Sequence, residues 1–148
     1  MTVTEKTQAE KNREHCKHIA EEIEKVAHGA IYRCPECGAE FEYDPNACDD
    51  DTFNYTCPEC EAVFPEEELE QVTLLDYFED VLDIEYRVGS DKELRSVCLC
   101  VAFGGPTIYV DTNTESVELK WWNWSAWYPI RREVCRQIED EFEELYNC

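Results

Sequence analysis

The chain has 148 residues, with 35 Asp and Glu against 13 Lys and Arg, for a formal net charge of −22. That length sets one domain or two small ones, and 43% hydrophobic residues with 12% aromatic is too apolar for a disordered acidic tail. So acidic a chain excludes simple binding to nucleic-acid backbones or anionic membranes, which need a basic face.

Residues 4 to about 28 read as an amphipathic helix, because Cys16, Ile19, Ala20, Ile23, Val26 and Ala27 fall on one face of a 3.6-residue period. Thr4 is the expected cap at its start and Gly29 the left-handed residue at its end. Four short aromatic-rich strands follow around Ile31-Tyr32, Phe41 to Tyr43, Phe53 to Tyr55 and Val63-Phe64, with Asp49-Asp50-Asp51 as a loop tip. Pro65 to about Leu82 reads as a second helix, with Pro65 and Glu66 to Glu68 suited to its first turn. Ile84 to Val88, Leu94 to Phe103, Thr107 to Asp111 and Ser116 to Trp124 read as four strands, separated by turn residues. Ile130 to Tyr146 closes the chain as a helix with Ile130, Val134, Ile138, Phe142 and Leu145 on one face. The expected fold class is α+β. An N-terminal helix (1–29) leads into a cysteine-rich ribbon (30–65). An α-β-β-β-β-α domain (66–148) follows, its helices on one face of a four-stranded antiparallel sheet.

Ten cysteines raise the question of a disulfide scaffold, but the polar first 29 residues show no secretory signal. The longest strongly apolar run, Val97 to Phe103, is far short of the ~20 residues that cross a bilayer. A soluble protein of a reducing cytoplasm is expected, with Cys16, Cys48, Cys98, Cys100, Cys135 and Cys148 as free thiols. The other four cysteines form Cys34-Pro35-Glu36-Cys37 and Cys57-Pro58-Glu59-Cys60, nineteen residues apart. Two Cys-x-x-Cys pairs at this spacing point to one tetrahedral zinc ion on four thiolates. Four thiolates close the shell, so the zinc is expected to be structural. A redox Cys-x-x-Cys would come singly, ahead of a helix. From about Ile31 to Phe64 the chain resembles the zinc ribbon family, including its Cys-Pro-x-Cys-Gly first knuckle. It departs from that pattern at Glu61, where the second knuckle has no glycine.

The charge is unevenly placed. Residues 1–33 hold six acids and six bases, residues 34–86 eighteen acids and no Lys or Arg, and residues 87–148 eleven acids and seven bases. With four thiolates on Zn2+ contributing a further −2, the ribbon is a poor nucleic-acid binder. Glu66 to Asp83 taken as one helix spans about 27 Å at ~1.5 Å per residue. Its acids, Glu66, Glu67, Glu68, Glu70, Asp76, Glu79, Asp80 and Asp83, then come at about one per ~3.4 Å, the spacing of phosphates along one DNA strand. Glu66, Glu67, Glu70, Asp76, Glu79, Asp80 and Asp83 are therefore the candidate partner-binding face. Trp122 and Trp124, from the cluster Trp121, Trp122, Trp124, Trp127 and Tyr128, are the candidate aromatic contacts; a strand over 116–124 turns Trp121 away from both.

No catalytic constellation is visible. The three histidines lie within residues 15–28, away from any thiol on a strand. Glu14, His15, His18 and Glu22 share a helix face but lack a further ligand. The acidic loop has no glycine-punctuated calcium pattern. The whole chain loosely resembles the small acidic proteins of phages and other bacterial mobile elements, on Gly104 to Thr112 and Glu143 to Tyr146. That resemblance implies a protein of the bacterial host cytoplasm. It also implies an anti-CRISPR or anti-restriction inhibitor that mimics nucleic acid, its hallmark acids here lying between Glu36 and Glu85. The partner would be a basic nucleic-acid-binding protein such as a defence nuclease, with no direct contact to nucleic acid or membrane. The alternative is a zinc-ribbon protein-interaction module of a transcription, translation or modification machine.

Overall fold

A computed structural model describes residues 7–122 and 124–147, so the Thr4 cap and Cys148 lie outside the described residues. The first helix, α1 (Gln8–Ala27), starts at Thr7, whose Oγ1 accepts the Glu10 amide at 3.2 Å. Its buried stripe is Cys16, Ala20, Ile23 and Val26, extended one turn earlier by Asn12. It ends as expected at Gly29, which has φ 73°. The chain divides into two compact units, one from Met1–Glu24 with Leu74–Cys148, the other Lys25–Thr73.

The Lys25–Thr73 unit is built of very short strands. β1 (Ile31–Arg33) pairs antiparallel with β2 (Glu40–Glu42), β3 (Asn54–Thr56) with β4 (Val63–Pro65), and β5 (Glu70–Gln71) with the other side of β1. Between β4 and β5, Glu66–Glu68 form a single 3-10 turn. The expected helix over Pro65 to Leu82 is therefore not one helix. Pro65 ends a strand, Glu70-Gln71 extend along the free side of β1, and the Val72 amide donates to the Ile31 carbonyl at 2.9 Å. Helix α2 is only Leu74–Tyr77. The physical reason is competition: eight carboxylates on one helix repel, while an unpaired strand edge offers the same backbone its hydrogen bonds.

In the larger unit, β6 (Asp83–Val88), β7 (Leu94–Ala102), β8 (Thr107–Asp111), β9 (Ser116–Trp121) and β10 (Trp124–Pro129) form one antiparallel sheet in the order β10-β9-β8-β7-β6. The α+β class holds, but the sheet has five strands rather than four. The expected strand Ser116 to Trp124 folds back on itself: Trp121 pairs with Trp124, and Trp122 takes φ 57° in the connection. A run of tryptophans broken only by Asn123 hides that turn, because no glycine or proline punctuates it. Register places Val97, Leu99, Ile108, Val110, Val117 and Leu119 on one face, each no more than 1% exposed. Helix α3 (Arg132–Tyr146) packs on this face, burying Val134, Cys135, Ile138 and Phe142. Tyr146 meets the ring of Tyr86 at 5.2 Å, and Phe142 meets Phe78 at 6.0 Å. The opposite face carries Cys98, Tyr109, Glu118 and Lys120, with Arg87 forked onto Asp111 at 3.1 and 3.2 Å. Among the described residues no helix is long and apolar enough to cross a membrane.

Candidate metal centre

Cys34 follows β1 and Cys57 follows β3, so each Cys-Pro-Glu-Cys turn is delivered by the end of a hairpin strand. The two turns repeat one hydrogen-bond pattern. Cys34 N–H donates to Ala39 O at 2.9 Å and Gly38 N–H to Cys34 O at 3.0 Å; Cys57 N–H donates to Ala62 O at 2.9 Å and Glu61 N–H to Cys57 O at 3.0 Å. The Glu36 and Cys37 amides point at Cys34 Sγ (3.3 and 3.4 Å), and the Glu59 and Cys60 amides at Cys57 Sγ (both 3.4 Å). Gly38 has φ 75° and Glu61 φ 62°. The missing glycine is thus answered by a glutamate forced into the left-handed region, at a cost of about 1–2 kcal/mol.

The sulfurs converge across the two turns. Cys34 Sγ lies 3.8 Å from Cys60 Sγ and Cys37 Sγ 3.7 Å from Cys57 Sγ, with all four within 4.8 Å of one another. Four thiolates ~2.3 Å from one tetrahedral ion stand ~3.8 Å apart. The tetrad could hold one metal ion, and among the described residues it is the only such group. Burial opposes ionisation of Cys57, but the Cys60 and Glu59 amides and the neighbouring sulfurs outweigh it and hold its thiol at about 7. The Ala62 amide pulls Cys60 the other way from its surroundings, and burial together with the Cys57, Cys37 and Cys34 sulfurs pushes it up to about 12. One thiolate among these four sulfurs suppresses the next, the conflict that a bound cation removes.

Behind the sulfurs sits an aromatic cluster that sequence reasoning saw only as strands. Tyr55 is fully buried and stacks on Phe41 (5.6 Å) and Tyr43 (5.4 Å), with Phe64 at 6.1 Å. Its hydroxyl accepts the Asp44 amide at 3.1 Å. Cys34, Tyr55, Cys57 and Phe64 together form the buried core of this unit. Cys48 donates its thiol proton to Glu66 Oε2 at 2.7 Å, and burial with the bond to Glu66 pushes the Tyr43 hydroxyl up to about 12.

The acidic candidates do not lie on one helix. Glu66 is engaged with Cys48, Glu67 lies exposed in the 3-10 turn, and Glu70 lies in β5 opposite Arg33. Asp76 sits in α2, Glu79 and Asp80 just after it, and Asp83 opens β6. The first three belong to one unit and the last four to the other. Glu14, His15, His18 and Glu22 form no four-ligand set; His18 Nε2 and Tyr77 Oη both meet Glu22, at 2.6 and 2.9 Å. Trp122 is 90% and Trp124 50% exposed, and Trp121 shares a face with Trp124 rather than opposing it. Trp127, a member of the cluster that is not one of the two candidate contacts, is 62% exposed on the other face. Comparison with known protein families, curated proteins and solved structures finds no match for this chain.

Proposed function

We propose that the protein is an acidic, zinc-containing inhibitor that docks on the basic groove of a nucleic-acid-binding protein and competes there with nucleic acid, in the manner of anti-CRISPR or anti-restriction mimics. The observation that carries this reading is the charge of the cysteine-bearing unit. It holds thirteen acids against Lys25 and Arg33, and both bases are paired within it, Lys25 to Glu42 at 3.3 Å and Arg33 to Glu40 at 2.9 Å. Zinc on Cys34, Cys37, Cys57 and Cys60 supplies a structural cross-link and makes the surface more negative, since four thiolates exceed the charge of the ion. The acids Glu36, Glu59 and Glu61 ride on the two knuckles, Asp49 to Asp51 on the loop between, and Glu67 and Glu68 on the turn that follows. This arrangement replaces the linear helix as the mimic: a cluster of carboxylates fixed to a rigid metal-centred scaffold. Attraction to a basic groove at this density speeds association and weakens steeply with salt.

The test is competition between this protein and labelled DNA or RNA for bacterial defence complexes. Wild type should displace the nucleic acid, and a variant with Glu36, Glu59, Glu67 and Glu68 changed to Lys should lose that ability while keeping its zinc. Failure of wild type on every complex, or equal displacement by the variant, sinks the reading. Elemental analysis should give one zinc per chain; iron in its place would overturn the zinc assignment.

A further inference from the structure

The two edges of the five-stranded sheet are built differently. β6 carries Asp83, Glu85 and Arg87, and its register with β7 breaks between Arg87 and Val88. Charges and bulges are how soluble proteins blunt a free edge against pairing with another strand. β10, Trp124-Ser125-Ala126-Trp127-Tyr128-Pro129, has no charged side chain, and among the described residues it pairs with β9 alone. Pro129, at its last position, is the one edge-blunting residue it has. Moreover, residues 119–132 contain no Asp or Glu in a chain that has 35. Trp121, Trp122, Trp124 and Trp127 are 37, 90, 50 and 62% exposed.

We propose that this edge is covered by β10 of a second copy of the chain, the two strands pairing antiparallel about a two-fold axis to join two five-stranded sheets into one. Isolated pairing of identical strands is self-complementary, as a two-fold interface requires. Register puts Trp121 and Trp124 on one face of the sheet and Trp127 on the other, so the joined strands gain aromatic cover on both sides. A tryptophan has up to ~250 Å² to bury, so the four exposed fractions amount to about 600 Å² per copy. A standard interface needs about 800 Å² per partner, so the tryptophans alone fall short of it and the contact is a weak one. The acid-free window is what makes this contact available to a chain of charge −22: no carboxylate of the strand meets another across the axis. The rest of each copy still repels its partner at long range. Self-association through β10 is therefore strengthened by added salt, opposite to docking of the acidic unit on a basic protein.

Sedimentation of the full zinc-loaded chain, from micromolar to near-millimolar concentration and at low and high salt, tests this. The mass should move from 17.4 kDa to twice that value, at lower concentration in high salt. Ser125→Lys, at an exposed position of the strand, should raise the dissociation constant at least about tenfold. Trp122→Ser with Trp127→Ser should do the same, with melting temperature and zinc content checked to show that the variants fold. Amide exchange over residues 124–128 should slow as concentration rises. A monomer at every concentration and salt overturns the proposal, as does a dimer that both variants leave intact. So does binding of a persistent monomer to vesicles of anionic phospholipid, which would make the tryptophans a membrane contact.

Discussion

The two units of this protein carry the same charge and are held together differently. The Lys25–Thr73 unit has thirteen acids and two bases in 49 residues, and the remainder twenty-two acids and eleven bases in 99, a net of −11 each. The larger unit meets that repulsion with strands of five to nine residues and a continuous aliphatic layer under α3. The smaller one has twice the charge density and strands of two or three residues, and two of the four side chains in its buried cluster are cysteines of the tetrad. A segment so small buries too little surface to stand alone. The lesson is that the tetrad and the acidity sit in the same unit: an ion held there would be an internal cross-link, allowing an acid density that packing by itself would not sustain.

The largest expected effect breaks this contrast outright. Structural zinc in small domains contributes about 10–16 kcal/mol of folding free energy. Cys57→Ser should therefore abolish stoichiometric zinc, erase the near-ultraviolet signal of the Tyr43–Tyr55 stack and open residues 36–70 to a glutamate-specific protease. The 74–148 region should keep its helix and sheet signal. Retention of the tyrosine signal in the zinc-free variant would mean that the aromatic cluster suffices. Next in size is the mirror experiment. Phe142 is 1% exposed and edge-on to Phe78, so Phe142→Ala should cost about 3–5 kcal/mol in denaturant unfolding while leaving zinc content unchanged. A loss below ~1 kcal/mol would contradict the burial on which the comparison rests.

Much of this was legible in the residues. The cysteine spacing places all four sulfurs correctly, because a Cys-x-x-Cys turn is a local device whose geometry its own residues dictate. The faces of α1 and α3 follow from a helical period that burial then enforces: Ile23, Val134 and Ile138 are fully buried, whereas Leu145, expected on the α3 stripe, lies in its last turn and is 47% exposed. One failure is competition that no local pattern records. Glu66 to Asp83 has helical composition but lies beside the unpaired edge of β1, which takes Glu70 and Gln71. It also straddles the boundary between two units, with Val72 buried in one and Phe78 in the other. The β9–β10 turn was lost for a different reason. Trp122 occupies a left-handed position where glycine or asparagine usually announces a hairpin.

A subtler contrast lies between the two knuckles. Gly38 and Glu61 hold the same left-handed position, and a Cβ built on Gly38 would meet nothing within 4 Å. The cost of a side chain there is thus purely that of the backbone. Glu61→Gly should stabilise the metal-bound unit by about 0.5–1 kcal/mol, the relief of the left-handed strain less the extra chain entropy of glycine. Gly38→Ala should cost about 1 kcal/mol. Chelator competition at a fixed pH reads both, and equal midpoints for the two variants would show that the knuckles are not equivalent in the way their hydrogen bonds suggest.

The smallest effect sharpens the comparison from the side of the larger unit, where a single carboxylate shows how acidity is tolerated without a metal. Glu141 of α3 has its Oε2 buried without a hydrogen-bond partner. Burial raises its pKa, and the repulsion of Asp76 and Glu144 adds to this, while the Leu75 and Leu74 amides at the start of α2 pull it back only in part. A carboxyl whose folded pKa lies above its unfolded value is destabilising when ionised. The unit should therefore gain stability as pH falls from 7 through the raised pKa, and gain no more from this group once pH passes below the unfolded value near 4.5. Glu141→Gln keeps an oxygen for the α2 amides and removes the charge. It should stabilise the protein at pH 7, and the advantage should disappear at pH 4. Urea unfolding of wild type and variant at the two pH values measures this. A variant less stable than wild type at pH 7 would mean that the charge on Glu141 is worth more to the start of α2 than its burial costs.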